Sequence, residues 1–168
     1  DMLVKKAVIA DDEPKIIELI RLLGNWEKYG IEIVDECHDG ISALESIRKH
    51  KPDLVLSDIK MPDLDGLDLI RITREEQIES RFILISGYRH FEYARSAVAL
   101  NVIDYLLKPI EEEQLNKTLE TACREIDQSR ENRKNRQELE VIRAKQNREK
   151  MTHFWEDFIF WNYPERRE

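Results

Sequence analysis

Short apolar runs alternate with longer segments of helical periodicity over residues 5–107. Five of these runs predict β-strands, at residues 5–10, 31–36, 54–57, 82–86 and 102–107. Between them, apolar residues recur every three or four positions, which is the period of a helix packed on one face. Strands that alternate with helices predict an α/β fold with a parallel sheet and right-handed crossover connections.

From residue 110 to about residue 160 the pattern is helical. Leu115, Leu119 and Ala122 are spaced to dock on the sheet, as is Ile126. After Ile126 the same heptad frame meets mostly charged side chains, and a helix that is polar all round bridges domains or is marginally stable alone. The predicted organisation is therefore one domain at residues 1–125 and a helical linker at residues 126–168.

Six large apolar side chains crowd into residues 153–161, at the end of this predicted linker. An apolar cluster of this density needs a burial partner. We therefore expect the chain to form a homodimer, or to pack the aromatic segment against another chain.

The net charge of −8 argues against nucleic-acid binding by these residues, because nucleic-acid-binding surfaces are normally basic. No apolar run reaches the length of about 18 residues that a membrane span needs, and no signal-peptide pattern precedes the first strand. Cys37 and Cys123 lack metal-ligand spacing, which indicates packing roles in a reducing compartment. The expected location is the cytoplasm, without membrane contact.

Charged and hydroxyl side chains stand at the ends of four predicted strands: Asp11, Asp12, Asp58, Ser86 and Lys108. In an open parallel sheet these ends face one crevice, where ligands bind. Three carboxylates there would raise one another's pKa values unless a cation offset their charge. Mg²⁺ prefers hard oxygen ligands of this kind, so the pattern predicts a magnesium site.

Each of these residues also has a structural explanation when it is taken alone. Asp11 and Asp12 are acids of a type favoured at a helix N-terminus, and Asp58 could cap a helix or turn. Ser86 fits a generic turn, and Lys108 fits a generic strand exit. Their occurrence together, in this order at successive strand ends, favours a functional site.

The ordered set resembles the receiver domain of two-component response regulators. Four stretches resemble the YesN-type regulators in particular, in which an AraC-type DNA-binding domain follows a helical linker: residues 57–62, 86–88, 91–94 and 104–110. The resemblance covers residues 4–125. It implies a flavodoxin-like, doubly wound (βα)5 fold with strand order 2-1-3-4-5 and an extended C-terminal helix.

This resemblance implies that Asp58 is the phosphoacceptor, which takes a phosphoryl group from a sensor histidine kinase. Mg²⁺ would be held by Asp11, Asp12 and Asp58 together with the backbone carbonyl of Lys60, whose side chain is not a ligand. Contact with DNA would come only through an output domain absent from these 168 residues.

The resemblance also implies roles for residues near the end of the domain. Lys108 and Ser86 would contact the phosphoryl group as cation and hydrogen-bond donor, and the Lys108–Pro109 peptide would be cis. Tyr105 would swing inward when Ser86 engages phosphate, although a merely exposed strand tyrosine fits this position equally well. Asn101 is expected to have positive φ where the fourth helix ends.

Three functions are compatible with this pattern. The first is a phosphorylation-controlled switch in a transcription regulator, which is not an enzyme on other molecules but catalyses its own phosphorylation and dephosphorylation. The second is a receiver used only for dimerisation, which usually lacks one of the charged residues kept here. The third is a phosphatase of the haloacid-dehalogenase type, which carries an acid where this chain has Lys60. The first function is favoured.

Overall fold

The computed structural model describes residues 3–88 and 90–162, except for the side chains of residues 161 and 162. Within these residues, five strands alternate with five helices. The strands are β1 (Lys5–Ala10), β2 (Ile31–Cys37), β3 (Leu54–Asp58), β4 (Arg81–Ser86) and β5 (Asp104–Leu107). The helices are α1 (Pro14–Leu23), α2 (Gly40–His50), α3 (Gly66–Glu75), α4 (Phe91–Ala99) and α5 (Glu112–Asn162).

All strand pairs are parallel, and the sheet order is β2-β1-β3-β4-β5. This confirms the predicted flavodoxin-like sheet with its extended C-terminal helix. The order reverses beside β1, which places the carboxyl ends of β1 and β3 next to each other. Ligand crevices of doubly wound sheets form at such a reversal.

Helices cover both faces of the sheet, and the alternation of side chains along each strand divides the core into two parts. On β3, Leu54 and Leu56 pack with the cluster that includes Ile17 of α1 and Leu115 of α5. Val55 points into the opposite cluster, which is built on α2, α3 and α4. Because both faces of β3 are covered, every residue of this strand is buried, its terminal carboxylate included.

The predicted last strand begins two residues too early. α4 ends at Ala99, and Asn101 adopts the left-handed region with φ of 52°, which confirms the expectation for that residue. The Val102 N–H then bonds back to the carbonyl of Ala97 at 3.2 Å, so Val102 still belongs to the helix end. β5 therefore starts at Asp104 rather than at residue 102.

The chain forms two compact units, Asp1–Ile126 and Asp127–Glu168. In the first unit, Leu115, Leu119, Ala122 and Ile126 are buried, as their spacing predicted. In the second, the described side chains from residue 131 to residue 160 are all exposed, including the aromatic ones. Among the described helices, none is long and apolar enough to cross a membrane.

Candidate functional site

Asp58 ends the central strand β3 and is almost completely buried, with 6% of its surface exposed. Its Oδ1 accepts a hydrogen bond from the N–H of Ile59 at 2.8 Å. Its Oδ2 lies 3.2 Å from the Nζ of Lys108. The Asp58 carboxylate thus lies in the crevice at the end of β3, where one backbone N–H and one ammonium group hold it in place.

Lys108 reaches the crevice from the far edge of the sheet. Its backbone N–H donates to the carbonyl of Ser86 at 2.9 Å, and the following peptide bond to Pro109 is cis. The Nζ lies 3.0 Å from Asp11 Oδ2 as well as 3.2 Å from Asp58 Oδ2. One ammonium group therefore serves two buried carboxylates.

Asp11 follows β1 and is 1% exposed. Its Oδ1 accepts from the N–H of Glu13 at 2.9 Å, which fixes the carboxylate at the start of α1. Its Oδ2 is buried and has no hydrogen bond of acceptable geometry, although the Nζ of Lys108 is nearby. Buried oxygens are normally satisfied, so this atom is suited to a further cationic ligand.

Oxygen atoms of neighbouring acidic residues lie close to the Asp11 carboxylate and are of the kind that a divalent cation binds. One carboxylate oxygen from each of Asp11, Asp12 and Glu13 lies within 4.8 Å of the others. Glu13 was not among the predicted ligands, although it continues the acidic run that singled out its neighbours. Asp58, a predicted ligand, lies outside this trio, and its Oδ2 is paired with Lys108.

The charges in this crevice shift the pKa values of its groups. The pKa of Asp58 is raised to about 6, first by burial and then by the charge of Asp11, while Lys108 acts to lower it. The pKa of Asp11 is also raised, mainly by burial. Burial acts to lower the pKa of Lys108, but the close contact with Asp11 and the charge of Asp58 outweigh it and raise that pKa. The pocket thus has more carboxylate than its one ammonium group can balance.

Gly66 lies against the backbone of the phosphoacceptor candidate. A Cβ at this position would lie 2.2 Å from the carbonyl oxygen of Asp58, which is closer than such atoms approach. The N–H of Gly66 donates to the carbonyl of Ile59 at 2.7 Å and closes the loop between β3 and α3. The sequence indicated a turn here but not this contact, because the contact depends on where the loop returns.

Tyr88 connects the other candidate residues. Its N–H donates to the Oγ of Ser86 at 3.2 Å, and its carbonyl accepts from the Tyr105 hydroxyl at 2.6 Å. The Nζ of Lys60 lies 4.3 Å from the centre of its ring. Burial raises the pKa of Tyr105. The loop after β4 is therefore tied to Ser86, to Tyr105 and to the loop after β3 through one residue that the sequence analysis did not assign a role.

Comparison with known proteins identifies the family. Residues 7–120 match the response regulator receiver domain family. A selenomethionine derivative of the REC domain of AraT, a response regulator from Geobacillus stearothermophilus, has a TM-score of 0.72 and 38% sequence identity. That superposition covers 76% of this chain and 99% of the other.

Full-length curated relatives are similar over the same region. An uncharacterized response regulatory protein of Staphylococcus epidermidis is 38% identical over 115 residues, 68% of this chain and 45% of its own length. YesN, an uncharacterized transcriptional regulatory protein of Bacillus subtilis, is 36% identical over 121 residues, 72% of this chain and 33% of its own length. The transcriptional regulatory protein HptR of Staphylococcus aureus is 37% identical over 110 residues, 66% and 43% of the two lengths.

The chain thus spans less than half the length of these three relatives. The family match, by contrast, covers most of the first compact unit and includes the crevice with its buried aspartates. The chain belongs to the response regulator receiver domain family.

Proposed function

We propose that this chain is the phosphorylation-controlled receiver of a two-component transcription regulator and that Asp58 accepts the phosphoryl group. The observation that carries the proposal is the placement of Asp58. It is a buried carboxylate at the central strand end, with one oxygen beside the Nζ of Lys108. A nucleophile needs a fixed position and a cation that offsets charge in the transferring group.

In the proposed step, a carboxylate oxygen of Asp58 attacks the phosphorus of a phosphohistidine on a sensor histidine kinase. The new P–O bond forms as the P–N bond breaks, and the histidine keeps the electron pair of the broken bond. Lys108 already lies within 3.2 Å of the attacking carboxylate and stabilises the negative charge on the incoming group. The same residues are proposed to catalyse dephosphorylation, in which water attacks the phosphorus and the carboxylate of Asp58 is released.

Asp11, Asp12 and Asp58, with the carbonyl of Lys60, are the residues proposed to hold Mg²⁺. The buried Oδ2 of Asp11, which has an ion pair with Lys108 but no hydrogen bond of acceptable geometry, supports a further cation at this place, as does the close carboxylate of Asp12. When bound, the ion would offset the charge of the phosphoryl oxygens and of the crowded carboxylates.

Ser86 and Tyr105 are proposed as the switch. The Ser86 hydroxyl is fully buried and can rotate to donate to a phosphoryl oxygen. Because this oxygen accepts from the Tyr88 N–H, a movement of Oγ towards the phosphoryl group would alter that hydrogen bond, and the Tyr88 carbonyl in turn accepts from the Tyr105 hydroxyl. A change at Ser86 can therefore reach Tyr105 through a single residue. Such differential contacts are what a population shift requires.

We further propose that residues 1–125 form the receiver, that residues 126–168 form a linker, and that an AraC-type output domain reads DNA in the full regulator. YesN and HptR are transcriptional regulatory proteins of which this chain spans about a third and less than half respectively, which supports an output domain that acts in transcription in the full regulator. A homodimer and a cytoplasmic location complete the proposal.

The two alternatives have less support. A phosphatase of the haloacid-dehalogenase type needs an acid at the position of Lys60, whose Nζ instead lies over the ring of Tyr88. A receiver used only for dimerisation would not need an intact phosphorylation site. In this chain, however, the Nζ of Lys108 lies within 3.2 Å of a carboxylate oxygen of both Asp11 and Asp58.

Phosphoryl transfer is tested with acetyl phosphate and Mg²⁺, followed by intact-mass spectrometry. The chain is expected to gain one acid-stable, base-labile phosphoryl group. Asp58→Asn should abolish this gain, and Asp12→Ala should suppress it by weakening the cation site. Asp63→Asn is the matched control, because Asp63 is an exposed aspartate on the following loop with φ of 68°, which asparagine tolerates.

Phosphorylation that persists in Asp58→Asn, or that is equally fast without a divalent cation, would contradict the proposal. Lys108→Ala provides a further check. It should retain the fold but lose the response of Tyr105 to phosphorylation, measured from the NMR signals of that ring.

A further inference from the structure

One stripe of the second unit carries exposed apolar side chains at heptad spacing. Its members, the seam residues, follow one another in alternating steps of three and four: Val141, Ala144, Arg148, Met151, Trp155 and Phe158. All of them are exposed, and Val141, Met151 and Trp155 keep between 51% and 67% of their surface in solvent. This spacing is the period at which two helices pack along a common axis.

The seam residues are not a continuation of the heptad that docks on the sheet. That heptad, extended past Ile126, would reach Glu140, Arg143, Asn147 and Lys150, all of which are polar, before it meets the apolar Phe154. The seam lies one residue later in the sequence. The first compact unit ends at Ile126 and the seam begins at Val141, so the change of frame lies within the second unit. Each unit thus has its own apolar stripe.

The residues that flank the seam decide which partner fits it. Each heptad of the seam begins with one of Val141, Arg148 and Trp155. In a parallel, in-register pair of helices, the residue just before each of these meets the residue five positions later in the sequence of the second copy. Here Glu140 would meet Lys145 of the second copy, and Asn147 would meet Thr152 of the second copy. One pairing joins opposite charges and the other joins two polar side chains.

The pairing at the next heptad is apolar on both sides, since Phe154 would meet Ile159 of the second copy. Phe154 also contacts Trp155 and Phe158 within its own chain, with ring centroids 5.6 and 6.3 Å apart. The apolar surface therefore widens at the end of the seam. Here the seam residues Trp155 and Phe158 are flanked by the apolar side chains of Phe154 and Ile159.

An antiparallel pair centred between Arg148 and Met151 would cover the same seam, but it would set Phe154 opposite Asn147 and Lys145 opposite Thr152 of the second copy. It therefore lacks both the opposite-charge pair and the apolar flanking pair. With its centre near Asn147, it would bring Phe154 against Glu140 of the second copy and leave the aromatic end facing charged residues. With its centre near Trp155, it would cover the aromatic end alone. Arg148 adds a charge within the seam, and a single polar residue at such a position fixes register at a cost in stability.

We propose that the second unit forms a parallel, in-register, two-stranded coiled coil with a second copy of this chain. The apolar part of the seam runs only from Val141 to Phe158, so the dimer is concentration-dependent. The inference rests on the homodimer of the proposed function and specifies its geometry. It does not depend on phosphoryl transfer, so the Asp58→Asn chain should dimerise through this seam as the parent chain does.

Cysteine cross-linking of the full 168-residue chain tests the geometry. Ala144→Cys and Met151→Cys, tested one at a time, should each give a disulfide-linked dimer under mild oxidation on a non-reducing gel. These positions are about 10 Å apart along a helix. An antiparallel pair can bring only one residue number against itself, so cross-linking at both positions identifies the parallel, in-register form.

Leu139→Cys is the matched control, because Leu139 is 53% exposed, as Met151 is 54% exposed, but lies off the seam. The unsubstituted chain controls for Cys37 and Cys123, which are buried. Cross-linking at only one seam position, at neither, or equally at residue 139 would overturn the proposal.

Sedimentation equilibrium tests the energetics without added cysteines. Trp155→Lys should weaken the dimer more than about tenfold, since it places a charge in the seam. Ile142→Lys, at an off-seam residue that is equally exposed, should leave the association constant within about twofold.

Charge reversal tests the flanking pair. Glu140→Lys should weaken the dimer about two- to fivefold, because it creates two like-charged contacts with Lys145. Adding Lys145→Glu should restore the association. A strictly monomeric parent chain at high concentration, or equal effects of the seam and off-seam lysines, or no rescue by the double reversal, would overturn the proposal.

Discussion

The buried carboxylates of Asp11 and Asp58 share one ammonium group, and this imbalance governs the chemistry of the site. A buried charge without a full complement of partners costs free energy, which a metal ion or a second cation can offset. The raised pKa of Asp58, about 6, reflects this cost. The residues that support function in this receiver are thus expected to lower its stability.

Asp58→Asn is expected to stabilise the chain at pH 7.5 by about 1–2 kcal/mol in the absence of divalent cations. The pKa of Asp58 is about 6 in the folded chain against an ordinary value of 3.8, so the folded state holds this proton more tightly. Its contribution to stability is present below pH 3.8 and is lost as the pH rises through 6. Asparagine avoids that loss, although Lys108 then has one partner fewer. Urea denaturation at several pH values measures the effect.

The gain from Asp58→Asn should shrink as the pH falls from 7.5 towards 4. Asp63→Asn, the exposed control, should change the free energy of unfolding by less than about 0.5 kcal/mol at each pH. A gain from Asp58→Asn that is the same at all pH values would contradict the assignment of the charge on Asp58 as its cause.

Gly66→Ala is expected to destabilise the chain by about 1–3 kcal/mol, because its Cβ would overlap the carbonyl oxygen of Asp58. The backbone of β3 is held on both sides by neighbouring strands, so it cannot move away easily. Gly87→Ala is the control, since a Cβ there meets nothing within 4 Å. Equal thermal shifts for the two substitutions would show that the close approach at Gly66 has no energetic weight.

At the scale of elements, the junction between α4 and β5 depends on a left-handed residue. Asn101 has φ of 52°, and its N–H bonds to the carbonyl of Val98 at 3.1 Å. The following N–H, of Val102, returns to Ala97, so the chain leaves the helix in a single step. This exit sets where β5 begins, and hence where Tyr105 falls along the strand and where Lys108 follows its end.

Asn101→Gly should change the free energy of unfolding by less than about 0.5 kcal/mol, whereas Asn101→Val should lower it by about 1–2 kcal/mol. Glycine adopts positive φ without strain, while a β-branched side chain resists it. Chemical denaturation of the three chains measures the difference. If the valine variant were as stable as the glycine variant, the expected backbone strain of a β-branched residue at this position would be contradicted.

At the scale of the whole molecule, the proposed signal must pass from the strand ends to the edge of the sheet. Beryllofluoride with Mg²⁺ mimics a phosphoryl group, and it should shift NMR signals of Ser86, Tyr88 and Tyr105. The path is short, because the Tyr88 backbone bonds to both of the other side chains. Residues of α2, which packs on β1 and β2 away from the β5 edge of the sheet, should change little.

Asp58→Asn is the control for this titration and should abolish the shifts. Tyr105→Phe should retain the shifts at Ser86 but weaken those of β5, since the hydroxyl that bonds to Tyr88 is gone. Shifts that are centred on α2, or that occur in the absence of Asp58, would contradict the proposed path.

The sequence by itself determined the alternation of strands and helices, the strand-end residues and the docking face of α5. The physical reason is that these features depend on local periodicity and on residue type: apolar runs bury, charged ends face solvent or ligand, and a period of three to four residues packs one helix face. The left-handed turn at Asn101 was implied by the resemblance to receiver domains, together with the tolerance of asparagine for that conformation.

Only the tertiary structure decided which groups meet. It brought Lys108 between Asp11 and Asp58, left one oxygen of Asp11 without a hydrogen bond, and placed Glu13 with the acidic trio. It also set Gly66 against the backbone of Asp58. These contacts join residues that are far apart in the chain or fixed by the return of a loop. Their distances depend on how the strands and loops pack together, which the local sequence pattern does not specify.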